Sequence, residues 1–129
     1  MIMERTIFFR YPSGQPYCTG DAERCVKFVG RLEENSHILF TPSLDDDRFV
    51  QILRFNELDY RVEVSGREEG DFVGAWMGGG DAERCTREVI DTYLETGEIV
   101  PAEGFSFKKV EKDEMGNWEV PRPPLKLLV

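Results

Sequence analysis

Three thiols, one imidazole and twenty-five carboxylates are the groups in this chain that could do chemistry, and their spacing limits what that chemistry could be. Cys25 and Cys85 each close an identical hexapeptide, Gly20-Asp21-Ala22-Glu23-Arg24-Cys25 and Gly80-Asp81-Ala82-Glu83-Arg84-Cys85. A thiol in the first turn of a helix has a lowered pKa because the helix dipole favours thiolate, so the repeat could supply a redox or nucleophilic pair. Glu23 and Glu83 oppose that effect by placing negative charge beside each sulfur. Each Cys also falls on the apolar stripe of its helix, where a free Cys behaves as a small hydrophobe. Two buried, inert thiols are expected. The repeat itself reads either as an old duplication of a strand–helix–strand unit or as two helix starts with the same capping chemistry.

His37 is the only imidazole, and it opens a strand beside Ile38 and Phe40. A Ser-His-acid triad would have to use it, and no Gly-x-Ser-x-Gly elbow supports one. Six residues separate Cys18 from Cys25, too many for a zinc-binding pair. Gly78-Gly79-Gly80 ahead of a helix invites a phosphate-loop reading, since helix N-termini attract anions. The Gly-Lys-Ser/Thr ending is missing, however, and Asp81 and Glu83 would repel phosphate. Asp45-Asp46-Asp47 could hold Ca²⁺, but without the alternating ligands and distal Glu of an EF-hand it reads as a solvated turn. Carboxylate pairs of the glycosidase kind stay open, because sequence alone does not say which acids face each other. The expectation is a protein that is not an enzyme and uses no metal or cofactor.

The chain has 129 residues, about the commonest domain size, so residues 1–120 are expected to share one core. Residues 121–129 form a Pro-rich, apolar-ended tail. Aromatics make up 12 % of the chain, enough large side chains to fill a core despite the charge. The net charge of −9 and pI of about 4.7 repel a phosphate backbone, which argues against direct nucleic-acid binding and for a basic protein partner. An odd number of cysteines does not suit a secreted disulfide scaffold. Glu4, Arg5 and Arg10 surround only a short apolar stretch, which makes no secretory signal. No run approaches the roughly 18–20 apolar residues of a membrane span. A cytoplasmic protein without membrane contact is expected.

These groups must be positioned by alternating short strands and two helices. Residues 5–11 read as a strand stopped by Pro12-Ser13-Gly14. Asp21 caps a helix whose Cys25, Phe28, Val29 and Leu32 recur at helical spacing, and Glu33-Glu34-Asn35 ends it. Residues 37–41, 49–55, 60–65 and 72–77 read as strands, with a hairpin turn at 56–59. In residues 60–65, Tyr60, Val62 and Val64 alternate with Arg61 and Glu63, as expected of a strand with one buried and one wet face. A second helix runs over 81–95 and stops at Thr96-Gly97, with Gly97 as its left-handed cap. Residues 105–110 and 117–120 are further strands. The fold class is α+β: a single antiparallel-rich sheet with both helices packed on one face. The apolar tail is expected to dock on its own domain or on a second copy, giving a monomer or a tail-mediated homodimer.

The second helix and the segment after it resemble the C-terminal part of a family of bacterial immunity proteins from polymorphic-toxin systems. The matching residues are Val89, Ile90, Tyr93, Leu94, Thr96, Gly97, Pro101 and Phe105: an amphipathic helix, a Thr-Gly stop, a Pro-containing link and an aromatic strand. Phe105 or Phe107 stands where that family usually carries Trp. The resemblance implies an inhibitor that binds a nuclease or deaminase toxin and blocks its active site. Candidate partner-binding residues are Glu33, Glu34, Asp45, Asp46, Asp47, Glu68, Glu69 and Asp71, with Trp76 as an aromatic anchor. An acidic nucleic-acid mimic of the phage type, or a small enzyme built on a carboxylate pair, are the alternatives.

Overall fold

Period-two alternation gives each strand one apolar face, and antiparallel pairing stacks those faces into rows. The computed structural model describes residues 5–10, 14, 16–65 and 71–120. Seven strands form one sheet: β1 (Ile7–Arg10), β2 (Tyr17–Thr19), β3 (Ser36–Thr41), β4 (Val50–Arg54), β5 (Tyr60–Ser65), β6 (Phe72–Met77) and β7 (Lys108–Lys109). Their order is β2-β1-β3-β4-β5-β6-β7, and every neighbouring pair is antiparallel. Register places Ile38, Ile52, Val62 and Ala75 in one row, and Phe9, Phe40, Val50, Val64 and Val73 in the next.

Helices α1 (Ala22–Gly30) and α2 (Gly79–Thr96) lie on this apolar face. Cys25, Val29, Ala82, Cys85, Val89, Ile90 and Tyr93 pack into one core with Ile7, Ile38, Phe40, Ile52 and Val62. Each large aliphatic side chain buried there contributes about 1.5–3 kcal/mol. The helices run in opposite directions, with Glu23 of α1 bonded to Arg87 of α2 and Gly30 of α1 close against Glu83 of α2. The α+β sheet with both helices on one face is the architecture read from the pattern.

The two hexapeptides do different local work. Asp21 caps α1 with its carboxylate, which accepts from the Glu23 N–H at 3.0 Å. α2 instead begins two residues before Asp81, with Gly78 as N-cap, and Asp81 sits inside the first turn paired to Arg84 at 3.1 Å. The strand after α1 joins the first strand of the preceding hairpin, β1, whereas the strand after α2 joins the second, β6. What the two copies have in common structurally is the burial of their Ala and Cys. Gly97 takes the left-handed conformation (φ 80°) expected of the α2 stop, and its N–H bonds to the Tyr93 carbonyl at 2.7 Å.

Besides the earlier start of α2, the elements differ from the pattern in several places, and the edge strand β2 has no counterpart in it. α1 ends at Gly30 rather than near residue 33, and Leu32 is buried from the turn beyond it. The strand expected over 105–110 shrinks to β7, because Phe105 and Phe107 turn in against the core instead of pairing. A two-stranded ribbon, β8 (Glu111–Lys112) with β9 (Trp118–Glu119), lies outside the main sheet. The apolar tail falls in residues 121–129, outside the described residues.

Cys25 and Cys85 are fully buried, whereas Cys18 is exposed on the edge strand β2. Burial pushes both core thiols up to about 12, with nearby carboxylates adding to the rise. At neutral pH a thiol reagent should therefore label one cysteine in the native chain, Cys18, and all three after unfolding. Mass spectrometry after a brief alkylation checks this. Above the ordinary thiol range the unfolded chain releases protons that the folded chain retains, so stability should fall as the pH rises past about 9.

Candidate functional site

The strand register sorts the candidate acids to opposite ends of the sheet. Residues 42–49 join β3 to β4, and Asp71 precedes β6, so Asp45, Asp46, Asp47 and Asp71 lie at one end. Two bonds between the same residues fix that end: the Phe49 N–H donates to the side-chain Oγ of Ser65 at 3.1 Å, and the Ser65 N–H donates to the Phe49 carbonyl at 3.0 Å. The C-terminus of α2 is at the same end. Arg48 ties the acidic loop to it, donating through Nη1 to the Gly97 carbonyl at 2.8 Å while Nε and Nη2 hold Asp46. Arg5 donates to the Leu94 and Glu95 carbonyls. α2 carries no basic residue in its own last turn, so these two distant guanidiniums supply the positive charge that a helix C-terminus favours.

Asp46 is therefore structural: the hydrogen bond from Arg48 holds its carboxyl below the ordinary range. Asp45, Asp47 and Asp71 are exposed and form no ion pair among the described residues. Glu95 and Glu98 are exposed beside them at the end of α2, and they are also unpaired among the described residues. Asp91 is raised above the ordinary carboxylate range, first by desolvation and then by the neighbouring Glu95 and Glu23. Asp91 and Glu95 were legible as a like-charged i, i+4 pair on one helix. Glu68 and Glu69 lie outside the described residues. Glu33 and Glu34 are at the other end, in the turn between α1 and β3, and do not join this group.

Trp76 belongs to neither end. It is half-buried on the sheet face opposite the helices, where its Nε1 donates to the Val120 carbonyl at 2.8 Å. That bond fastens the β8–β9 ribbon onto the outer face. Gly74 makes the close approach possible, since a Cβ there would stand 2.6 Å from Val120 Cγ2 and 3.3 Å from Val110 Cγ2. The ribbon overturns the expectation of a wet face on β5. Glu63 lies opposite Gly74 and is buried, its side chain 5 % exposed, and Arg61 beside it is 11 % exposed. Arg61 Nε and Glu63 Oε2 are 3.1 Å apart, but the N–H points off the line between them, so the contact is ionic without a hydrogen bond. Burial raises the Glu63 carboxyl, and Arg61 opposes that rise.

No group of three or more His, Cys, Asp or Glu among the described residues is placed to hold a metal ion. No helix among them is long and apolar enough to cross a membrane. Comparisons with protein-family models, curated proteins and solved structures return no match to this chain.

Breaking a buried ion pair from one side leaves an uncompensated charge, which typically costs about 3–5 kcal/mol, whereas replacing both partners by apolar residues is near neutral. Arg61→Met should therefore destabilise the fold by about 3–5 kcal/mol at pH 7, and Arg61→Met with Glu63→Leu by much less. Denaturant titration of the two variants checks this. The penalty in the single variant should shrink as the pH falls, because a carboxyl whose folded pKa is raised takes up its proton in the folded state first.

Proposed function

We propose that this chain is an acidic protein-binding inhibitor of the immunity-protein kind, which neutralises a basic nuclease or deaminase toxin. The observation that carries the reading is the end of the molecule where Asp45, Asp47, Asp71, Glu95 and Glu98 stand exposed without ion-pair partners among the described residues. Arg48 and Arg5, both exposed, tie that end to the C-terminus of α2. A preformed negative patch steers a basic partner into register and raises the association rate. The resemblance of the α2 stop, Thr96-Gly97 and the link to Phe105, to the immunity family supports the same reading. With it goes a cytoplasmic site of action, which suits three free thiols.

Purification of the tagged chain from its native host, followed by mass spectrometry, should return a stoichiometric basic protein. Its association rate should fall by at least about tenfold from low to high salt as the charges are screened. Replacing Asp45, Asp47 and Asp71 together by Asn, with Asp46 kept so that Arg48 stays anchored, should slow association more than it speeds dissociation. An association rate indifferent to salt and to these substitutions would overturn the reading.

A further inference from the structure

A cleft of about 460 Å³ opens on the outer face between the sheet and the β8–β9 ribbon. It is lined by Arg61, by the rings of Phe55, Trp76 and Trp118, and by the carboxylate residues Asp113 and Glu119, of which Glu119 is exposed. The Arg61 guanidinium is 5.1 Å from the Phe55 ring and 5.2 Å from the Trp76 ring, which are 4.9 Å from each other. Three nearly equal distances mean that both rings lie to one side of the guanidinium. Its Nε faces Glu63, and its two Nη groups meet no acceptor among the described residues. A buried arginine held by two rings and a carboxylate, with donors left over, is a prepared hydrogen-bonding site.

Charge decides what can fill it. Glu63 already neutralises Arg61, and Asp113 and Glu119 add two negative charges that Lys112, over the Trp118 ring at 4.7 Å, offsets only by one. An incoming anion is repelled, whereas a neutral carbonyl can still accept from Arg61. The carboxylates favour a cation. Asp113 uses Oδ1 to accept from the Met115 and Asn117 N–H groups at 2.9 and 2.8 Å, which leaves Oδ2 for a ligand.

We infer that this cleft anchors a basic peptide segment of the partner: a lysine or arginine side chain reaches Asp113 and Glu119 while the segment's main-chain carbonyl accepts from the Arg61 Nη groups. The inference rests on the reading of the chain as a binder of a basic protein. It gives the outer face a separate role, as the anchor, with the acidic end serving encounter.

The test is an NMR titration of the full chain with N-acetyl-lysine methylamide, following the indole N–H signals of Trp76 and Trp118, the two tryptophans of the chain. Both signals should shift saturably. The glutamate counterpart should leave them in place, and butylamine, a cation without the carbonyl, should bind several-fold more weakly. Glu119→Gln, at an exposed position, should weaken the lysine compound several-fold without altering the fold. No saturable shift, an equal response to the glutamate compound, or an unchanged affinity in Glu119→Gln would overturn the inference. Binding by a chain ending at Val120 but not by the full chain would also overturn it, since residues 121–129 would then fill the cleft. Salt-dependent association with a basic protein that survives Glu119→Gln would remove the cleft from the account and leave the acidic end standing.

Discussion

Two helices can cover only one face of a seven-stranded sheet, and the way the other face is closed governs the remaining structure. Among the described residues the covering is a short ribbon, β8 with β9, which approaches the sheet where Gly74 has no side chain in the way. Its arrival takes Glu63 out of water. A carboxylate so placed needs a compensating charge, and Arg61, two residues away on the same face of β5, is the charge within reach. Arg61 in turn is backed by Phe55 and Trp76, and Trp76 holds the ribbon through the Val120 carbonyl. Gly74, Glu63, Arg61, Trp76 and Val120 form one closed dependency. The cleft beside them is a consequence, because the ribbon covers the β5–β6 part of the face and stops short of Phe55.

The acidic end has a different origin. Its shape comes from arginines that are used internally: Arg48 and Arg5 both bond to carbonyls at the C-terminus of α2, and Arg87 crosses to Glu23 on α1. Each of these satisfies a helix end or a helix–helix contact, and each is thereby withheld from the exposed carboxylates nearby. Arg5 and Arg48 are nevertheless exposed, so their positive charges offset part of the negative field of the carboxylates beside them. In the proposed inhibitor role, an acidic surface tied to a helix end by two arginines would lose little entropy on binding, which favours fast and oriented encounter.

The repeated hexapeptide illustrates how little local identity constrains geometry. In both copies Ala and Cys enter the core, because a small apolar pair suits a helix packed closely on another helix and on a sheet. The Asp in the first copy caps, and the Asp in the second pairs with Arg84 one turn in. The difference lies outside the repeat: Gly78 and Gly79 allow α2 to begin earlier than α1 can, where Thr19 and Gly20 precede the cap.

The sequence alone determined the elements that face the core. Alternation in residues 60–64, helical spacing from Cys25 to Val29 and from Cys85 to Tyr93, and the stop at Gly97 each state a local preference, and burial on one face satisfies all of them together. The burial of Cys25 and Cys85 came from the same stripes. The part that only the tertiary structure decided concerns the second face. Arg61 and Glu63 have the pattern of a wet strand face, and nothing local distinguishes them from charges in water. Their burial depends on a ribbon some fifty residues further along the chain, on a glycine in the neighbouring strand and on a tryptophan whose indole finds a carbonyl at residue 120. The grouping of the acids was hidden for the same reason. The strand read over 37–41 already separates the runs at 33–34 and 45–47, but only strand pairing and the packing of α2 bring Asp71, Glu95 and Glu98 to the end that carries 45–47.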